Sequence, residues 1–155
     1  MSFEVIHKNE FNVGGLSVIG KTGSPEFSKL WDRFFETGLF VKLMALGTSR
    51  SLGVCYDMKD DGTFSYMAGL EVINIETAKL YKATVLTIAE ADYYIHPCKG
   101  MVPQCIMDGW KASMAILANE GYRHSGAPDF EHYLEGDMSS SDYEMELWIP
   151  VEKIR

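Results

Sequence analysis

The 155-residue sequence predicts an α+β fold in which a strand-helix-strand-strand unit occurs twice. Three observations carry that reading. Two stretches repeat apolar residues at helical spacing, alternating stretches joined by turn residues read as hairpins, and the order of elements in the first half returns in the second. Two main helices and about eight strands in an antiparallel sheet are expected.

Residues 13–19 form the first strand candidate. Ser24-Pro25-Glu26 then marks a helix start, because Ser can cap free N–H groups, Pro suits the first helical position and Glu complements the positive end of the helix dipole. Phe27, Leu30, Trp31, Phe34 and Phe35 follow at spacings that place them on one face, and Gly38 is the expected stop. Leu52, Val54 and Tyr56 alternate, Asp60-Asp61-Gly62 supplies a turn, and residues 64–72 resume with strand formers, which makes a hairpin. Residues 83–89 are expected to be the strand before the second helix. That helix follows Pro103, presents Ile106, Met107, Trp110, Met114 and Leu117 on one side, and ends at Gly121. Residues 130–134 and 143–151, joined by the loop at 136–141, form the last hairpin. No Pro/Ser-rich linker or low-complexity segment divides the chain, so residues 1–155 read as a single domain with halves at 1–78 and 79–155.

Composition narrows the function. With 14 Lys and Arg against 22 Asp and Glu the formal charge is −8, which repels a polyanion, so no nucleic-acid partner is expected. An apolar fraction of 46% supports a packed core, and 23% charged residues is too few for a solvated disordered chain. Lys42 interrupts the apolar run at 39–46 and polar residues break the others, so no membrane span is read. The first residues lack a basic region followed by an apolar one, and Cys55, Cys98 and Cys105 lack C-x-x-C spacing. A cytoplasmic protein with reduced thiols is expected.

Several motifs fail on context. Gly15-Leu-Ser-Val-Ile-Gly20-Lys21-Thr22 satisfies a phosphate-loop pattern, but such a loop must open a helix at its Lys. Here the intervening residues are strand-like and Gly23-Ser24-Pro25 interrupts the required helix. His7, His96, His124 and His132 form no metal-ligand spacing, so no metal or other cofactor is expected. G-x-S-x-G is absent, and Cys98 or Cys105 as a nucleophile has only the generic prospect of a distant His.

Trp31, Phe34, Tyr56, Tyr66, Tyr94, Trp110 and Trp148 fall on regular elements, where they face either a core or a cavity. Most of the acidic residues between Asp129 and Glu146 read as a solvated face. Glu146 is different. Alternation places Glu144, Glu146 and Trp148 on one face of the last strand and Met145, Leu147 and Ile149 on the other. If both faces are covered, a carboxylate there must be protonated, paired within the protein or paired by a ligand.

The segments Val13-Gly-Gly-Leu-Ser-Val-Ile-Gly-Lys-Thr22, Leu30-Trp31-Asp-Arg-Phe34, Leu52-Gly-Val-Cys-Tyr56-Asp57, Phe64-Ser-Tyr66-Met-Ala-Gly69-Leu-Glu-Val72, Asp129-Phe-Glu131-His-Tyr133 and Tyr143-Glu-Met-Glu146-Leu-Trp148-Ile-Pro150-Val151 together resemble the GyrI-like effector-binding domains. Those include the drug-binding domains of multidrug-responsive transcription activators and stand-alone integron cassette proteins. Residues 93–101 match the family's usual strand and glycine turn only loosely, and no DNA-binding helix-turn-helix is read ahead of the domain. The resemblance implies tandem strand-helix-strand-strand units with a central ligand groove. It further implies a receptor for amphipathic, cationic aromatic small molecules, with Glu146 as the acidic residue. Among the aromatic residues on regular elements, Trp148, Tyr66, Tyr56, Trp110, Trp31 and Phe34 are the candidates for the walls of such a groove. Two alternatives stay open: hydrolysis of small electrophiles by Glu146 with Tyr66 or Tyr56, and docking of the acidic surface on a protein target, as in gyrase-inhibitor relatives, or on a second copy.

Overall fold

The computed structural model describes residues 3–155; Met1 and Ser2, the start of the stretch read as lacking a secretory signal, lie outside the described residues. In chain order the elements are β1 (Ile6–Lys8), β2 (Phe11–Gly20), α1 (Pro25–Glu36), α2 (Leu39–Met44), β3 (Gly47–Tyr56), β4 (Phe64–Val72), α3 (Ile75–Leu80), β5 (Thr84–Ile88), β6 (Ala91–Lys99), α4 (Gln104–Glu120), β7 (Tyr122–His124), β8 (Asp129–Tyr133) and β9 (Glu144–Lys153). The α+β class is as expected, and the strand pairs within each unit run antiparallel. Among the described residues there are four helices rather than two, and nine strands. The chain divides into two compact units, Glu10–Ala89 and residues 3–9 with Glu90–Arg155.

In the unit Glu10–Ala89 the strands lie in the order β3-β4-β2-β5. Helix α1 begins where the capping residues place it: Ser24 Oγ accepts the Glu26 N–H at 3.2 Å and Pro25 takes the first position. Its stripe buries Leu30 and Phe34 against Phe64, Tyr66, Ala68 and Leu70 of β4. Helix α1 ends at Glu36, just before Gly38, as expected. At φ +77° Gly38 turns the chain so that α2 follows at once and adds Leu39 and Leu43 to the same core. Helix α3 is capped by Asn74, whose side-chain oxygen accepts the Thr77 N–H at 3.1 Å.

Residues Gly15 to Gly20 of the phosphate-loop pattern lie in β2, whose residues from Asn12 to Gly20 pair with β4, and no helix starts at Lys21, which follows the strand. The backbone groups that a phosphate would need belong to the sheet ladder.

In the second unit the order is β1-β6-β9-β8, with β7 also pairing β9. The strand expected before the second helix requires correction. Residues 84–88 form β5, which pairs with β2 of the first unit, and the strand that leads to α4 is β6. Pro97 obscures β6 in the sequence, since proline argues against a central strand. It is tolerated because β1 pairs only Ala91 to Tyr93, leaving that side of β6 open farther along within the unit. Gly100, at φ +132°, then makes the turn toward α4.

Helix α4 packs through Cys105 and Leu117 on Tyr94, Cys98, Met145, Leu147, Ile149 and Val151. Gly109 makes the close approach feasible, since a Cβ there would stand 3.1 Å from Leu147 Cδ1 and also meet the Cys98 thiol. Burial pushes the Cys98 thiol up to about 12, with Cys105 and Glu131 adding to it, so this thiol stays protonated at neutral pH. No helix among the described residues is long and apolar enough to cross a membrane.

Two histidines of this unit are displaced in opposite directions. His7 is held above the ordinary 6.5 chiefly by its hydrogen bond to Asp92 at 2.8 Å, and burial pushes His96 below it. The His7 contribution to stability is present at low pH and fades as pH rises through its raised value; the His96 contribution is present above 6.5 and fades as pH falls. NMR titration is expected to give midpoints on opposite sides of 6.5. The same order reversed, or both values together, would contradict these placements.

Candidate functional site

Directly paired residues of neighbouring antiparallel strands share a face, so register determines which side chains meet. In the second unit Glu146 lies opposite His132 of β8 and Pro97 of β6, while Trp148 lies opposite Phe130 and Ile95. Tyr93, two residues before Ile95, joins the same face. Met145, Leu147 and Ile149 point to the other face, where α4 covers them. The alternation expected for the last strand is therefore present.

The face with Glu146 is built from aromatic planes. Trp148 stacks on Phe130 at 5.4 Å between centroids with an interplanar angle of 16°, and Tyr93 meets both rings edge-on at 5.5 to 5.6 Å. Tyr93 is fully buried and its hydroxyl has no hydrogen-bond partner among the described residues. Burial and the Asp129 carboxylate push the Tyr93 phenol up to about 12.

Glu146 is paired within the protein through one oxygen. Trp148 Nε1 donates to Oε1 at 3.1 Å, and His132 Nδ1 lies 3.0 Å from the same atom. An ionised carboxylate only accepts, so Nδ1 carries the hydrogen of that bond. The other oxygen, Oε2, receives no hydrogen bond among the described residues, and the side chain retains 33% exposure. The sequence left three fates for this carboxylate, and the observed one includes an internal pair on Oε1. The anchoring bonds fix the carboxylate beside the Trp148 and Phe130 planes.

The remaining candidates occupy other places. Trp110 lies on α4, on the opposite side of the sheet from Glu146, and stacks on His124 at 6.5 Å. In the first unit Trp31 Nε1 donates to Tyr66 Oη at 2.9 Å, and Tyr66 stacks on Phe27 at 4.7 Å. Phe34 is fully buried in that helix-covered core. Tyr56 pairs in register with Ser65, so it falls on the face away from that core, with Val54, Met67 and the buried carboxylate Glu71. Within the second unit the structure joins Glu146 to Trp148, and within the first it joins Trp31 to Tyr66.

Three contributors to the Glu146 face are missing from the sequence candidates: Tyr93, Phe130 and His132. His132 sits two residues after Phe130 in the expected strand, and the hairpin pairing with residues 143–151 carries it to Glu146. Among the described residues no group of three or more His, Cys, Asp or Glu is arranged to hold a metal ion.

A family model described as a GyrI-like small molecule binding domain matches residues 1–152. Among curated proteins no sequence is similar enough to count as a relative. Solved structures share the fold. SAV2435 bound to tetraphenylphosphonium superposes with a TM-score of 0.80 at 24% identity, over 98% of this chain and 94% of that one. An integron cassette protein from the mobile metagenome of Vibrio cholerae has a TM-score of 0.68 at 18% identity, over 97% and 95% of the two chains. The EcmrR C-terminal domain has a TM-score of 0.64 at 15% identity, over 99% of this chain and all (100%) of that one.

Proposed function

This chain belongs to the GyrI-like small-molecule-binding domains, and from that premise we propose that it binds amphipathic cations with aromatic character, using Glu146 to select their charge. The observation that carries the reading is the carboxylate with Oε1 held by Trp148 and His132 and Oε2 left to a guest. A flat or aryl-bearing cation beside Trp148 and Phe130 gains about 0.5 to 2 kcal/mol per good cation–π contact, and apolar burial adds to it. As the guest displaces water, the unmatched negative charge of Glu146 opposes a neutral or anionic competitor, which turns affinity into charge specificity. The tetraphenylphosphonium bound to SAV2435 has this chemistry, with a delocalised cation shielded by aryl rings.

A thermal-shift titration with tetraphenylphosphonium tests binding. At a hundredfold excess over Kd the native state should gain ~2.7 kcal/mol, with the uncharged triphenylphosphine oxide giving a smaller shift at equal concentration. No stabilisation by the cation at any concentration would overturn the reading. The hydrolase alternative requires a Tyr to activate water together with Glu146. Within their own unit, the Tyr66 hydroxyl accepts from Trp31 and Tyr56 ends β3.

A further inference from the structure

Glu146 is held by a group that can itself acquire charge. His132 Nδ1 lies 3.0 Å from Oε1, and the ring is largely buried, with 14% side-chain exposure. Trp148 Nε1 donates to the same oxygen but cannot titrate in the physiological range. The charge presented to a guest therefore depends on His132. With a neutral imidazole the His-Glu pair carries −1; with an imidazolium it carries zero.

We infer that His132 is a specificity-determining residue of this site, making the binding of a cation an exchange against one proton on the imidazole. The inference rests on the cation-binding reading above and adds to it the partner that sets the charge Glu146 displays. A cation at Oε2 and a proton on His132 lie on two sides of one carboxylate, so each disfavours the other, and the coupling is reciprocal. At high pH the site selects cations, and at low pH the neutral pair loses that preference.

Within their own unit the charged groups around the pair are placed as follows. On the same face Lys99 of β6 pairs with Glu144 of β9, and both are exposed. Tyr93 stays neutral between pH 5.5 and 8 because its phenol is pushed up to about 12. Glu131 and Tyr133 alternate to the face that α4 covers, where they hydrogen-bond each other at 2.6 Å. His124 donates to Asp129 rather than to Glu146, His96 bonds Tyr94 on the α4 side, and His7 lies at the far end of β6.

Tetraphenylphosphonium is the suitable probe because it carries a permanent charge and has no proton of its own, so any pH dependence belongs to the protein. Calorimetry with wild type between pH 8 and 5.5 should show its Kd rising about tenfold, as expected for exchange with one imidazole proton. Heats measured in buffers of different ionisation enthalpy should show proton release near the His132 midpoint. His132→Asn keeps an amide N–H where Nδ1 stands and removes the titration, so its Kd should change less than about twofold over the same range.

A constant wild-type Kd, or a His132→Asn protein with the full wild-type pH dependence, would overturn the inference while leaving charge selection by Glu146 intact. Loss of tetraphenylphosphonium binding by wild type at every pH, or Glu146→Gln binding it as tightly as wild type, would instead remove the reading on which the inference rests. Should His132→Asn fail to fold, the imidazole of wild type is followed by NMR. Its midpoint should fall when tetraphenylphosphonium is added, and an unchanged midpoint at saturating ligand overturns the inference equally.

Discussion

Replacing Gly15 by alanine should leave no folded protein under ordinary conditions, a loss of more than about 4 kcal/mol. Gly15 lies in β2 between Gly69 of β4 and Thr84 of β5. A Cβ at this position would collide with the Ala68 carbonyl oxygen and stand 2.7 Å from Gly69 Cα. Those obstacles are backbone on a neighbouring strand, so rotamer changes cannot relieve them, and moving β2 would break its ladders on both sides. Circular dichroism and urea denaturation check the result. If Gly15→Ala folds with near-native stability, the placement of β2 is wrong. The same substitution bears on the phosphate-loop pattern, because in a genuine loop the damage would fall on nucleotide binding and leave the sheet standing.

Replacing Trp148 by alanine is expected to damage stability and binding together. The ring stacks on Phe130, meets Tyr93 edge-on and donates to Glu146. Removing so much buried aromatic volume costs about 3 to 5 kcal/mol. Trp148→Phe separates the roles, since a smaller aromatic keeps part of the packing and loses the N–H. Phenylalanine should recover more than half of the lost stability, while binding of tetraphenylphosphonium remains weaker than wild type because one anchor of the Glu146 carboxylate is gone. Urea unfolding paired with calorimetry reads both quantities. Equal stability of Trp148→Ala and wild type would contradict the packing described for this face.

Local signals in the chain locate the larger elements and miss the smaller ones for physical reasons. Ser24-Pro25 and the stripe ending at Phe35 specify α1, because capping and spacing both act within a few residues. Helices α2 and α3 have six residues each and owe their stability to packing, which periodicity over so short a run cannot display. Strands β1 and β7 have three residues each and are defined by partners distant in sequence. Strand β6 contains Pro97 and buries both Tyr93 and Tyr94, so it lacks the alternation of a half-exposed strand.

The site divides in the same way. Glu146 and Trp148 are legible from two-residue alternation within one strand. His132 and Phe130 require the register of β8 against β9, which the hairpin suggests but the loop at 136–141 leaves unspecified. Tyr93 comes from a strand whose place in the sheet local sequence does not indicate. Aromatic content overstates the candidate list in the other direction, since Phe34 is fully buried in a helix-covered core and Trp110 stands on the α4 side of its sheet.

Charge selection by Glu146 is tested most directly by calorimetry on wild type and Glu146→Gln, each with tetraphenylphosphonium and with triphenylphosphine oxide, at pH 8. Glutamine preserves the side chain's size and can still accept at the oxygen facing His132 and Trp148, so the comparison isolates the charge. The cation should lose at least about tenfold in affinity, ~1.4 kcal/mol, while the neutral compound binds equally or more tightly. Equal affinity of the two proteins for the cation, or equal losses for both compounds, would contradict selection by this carboxylate.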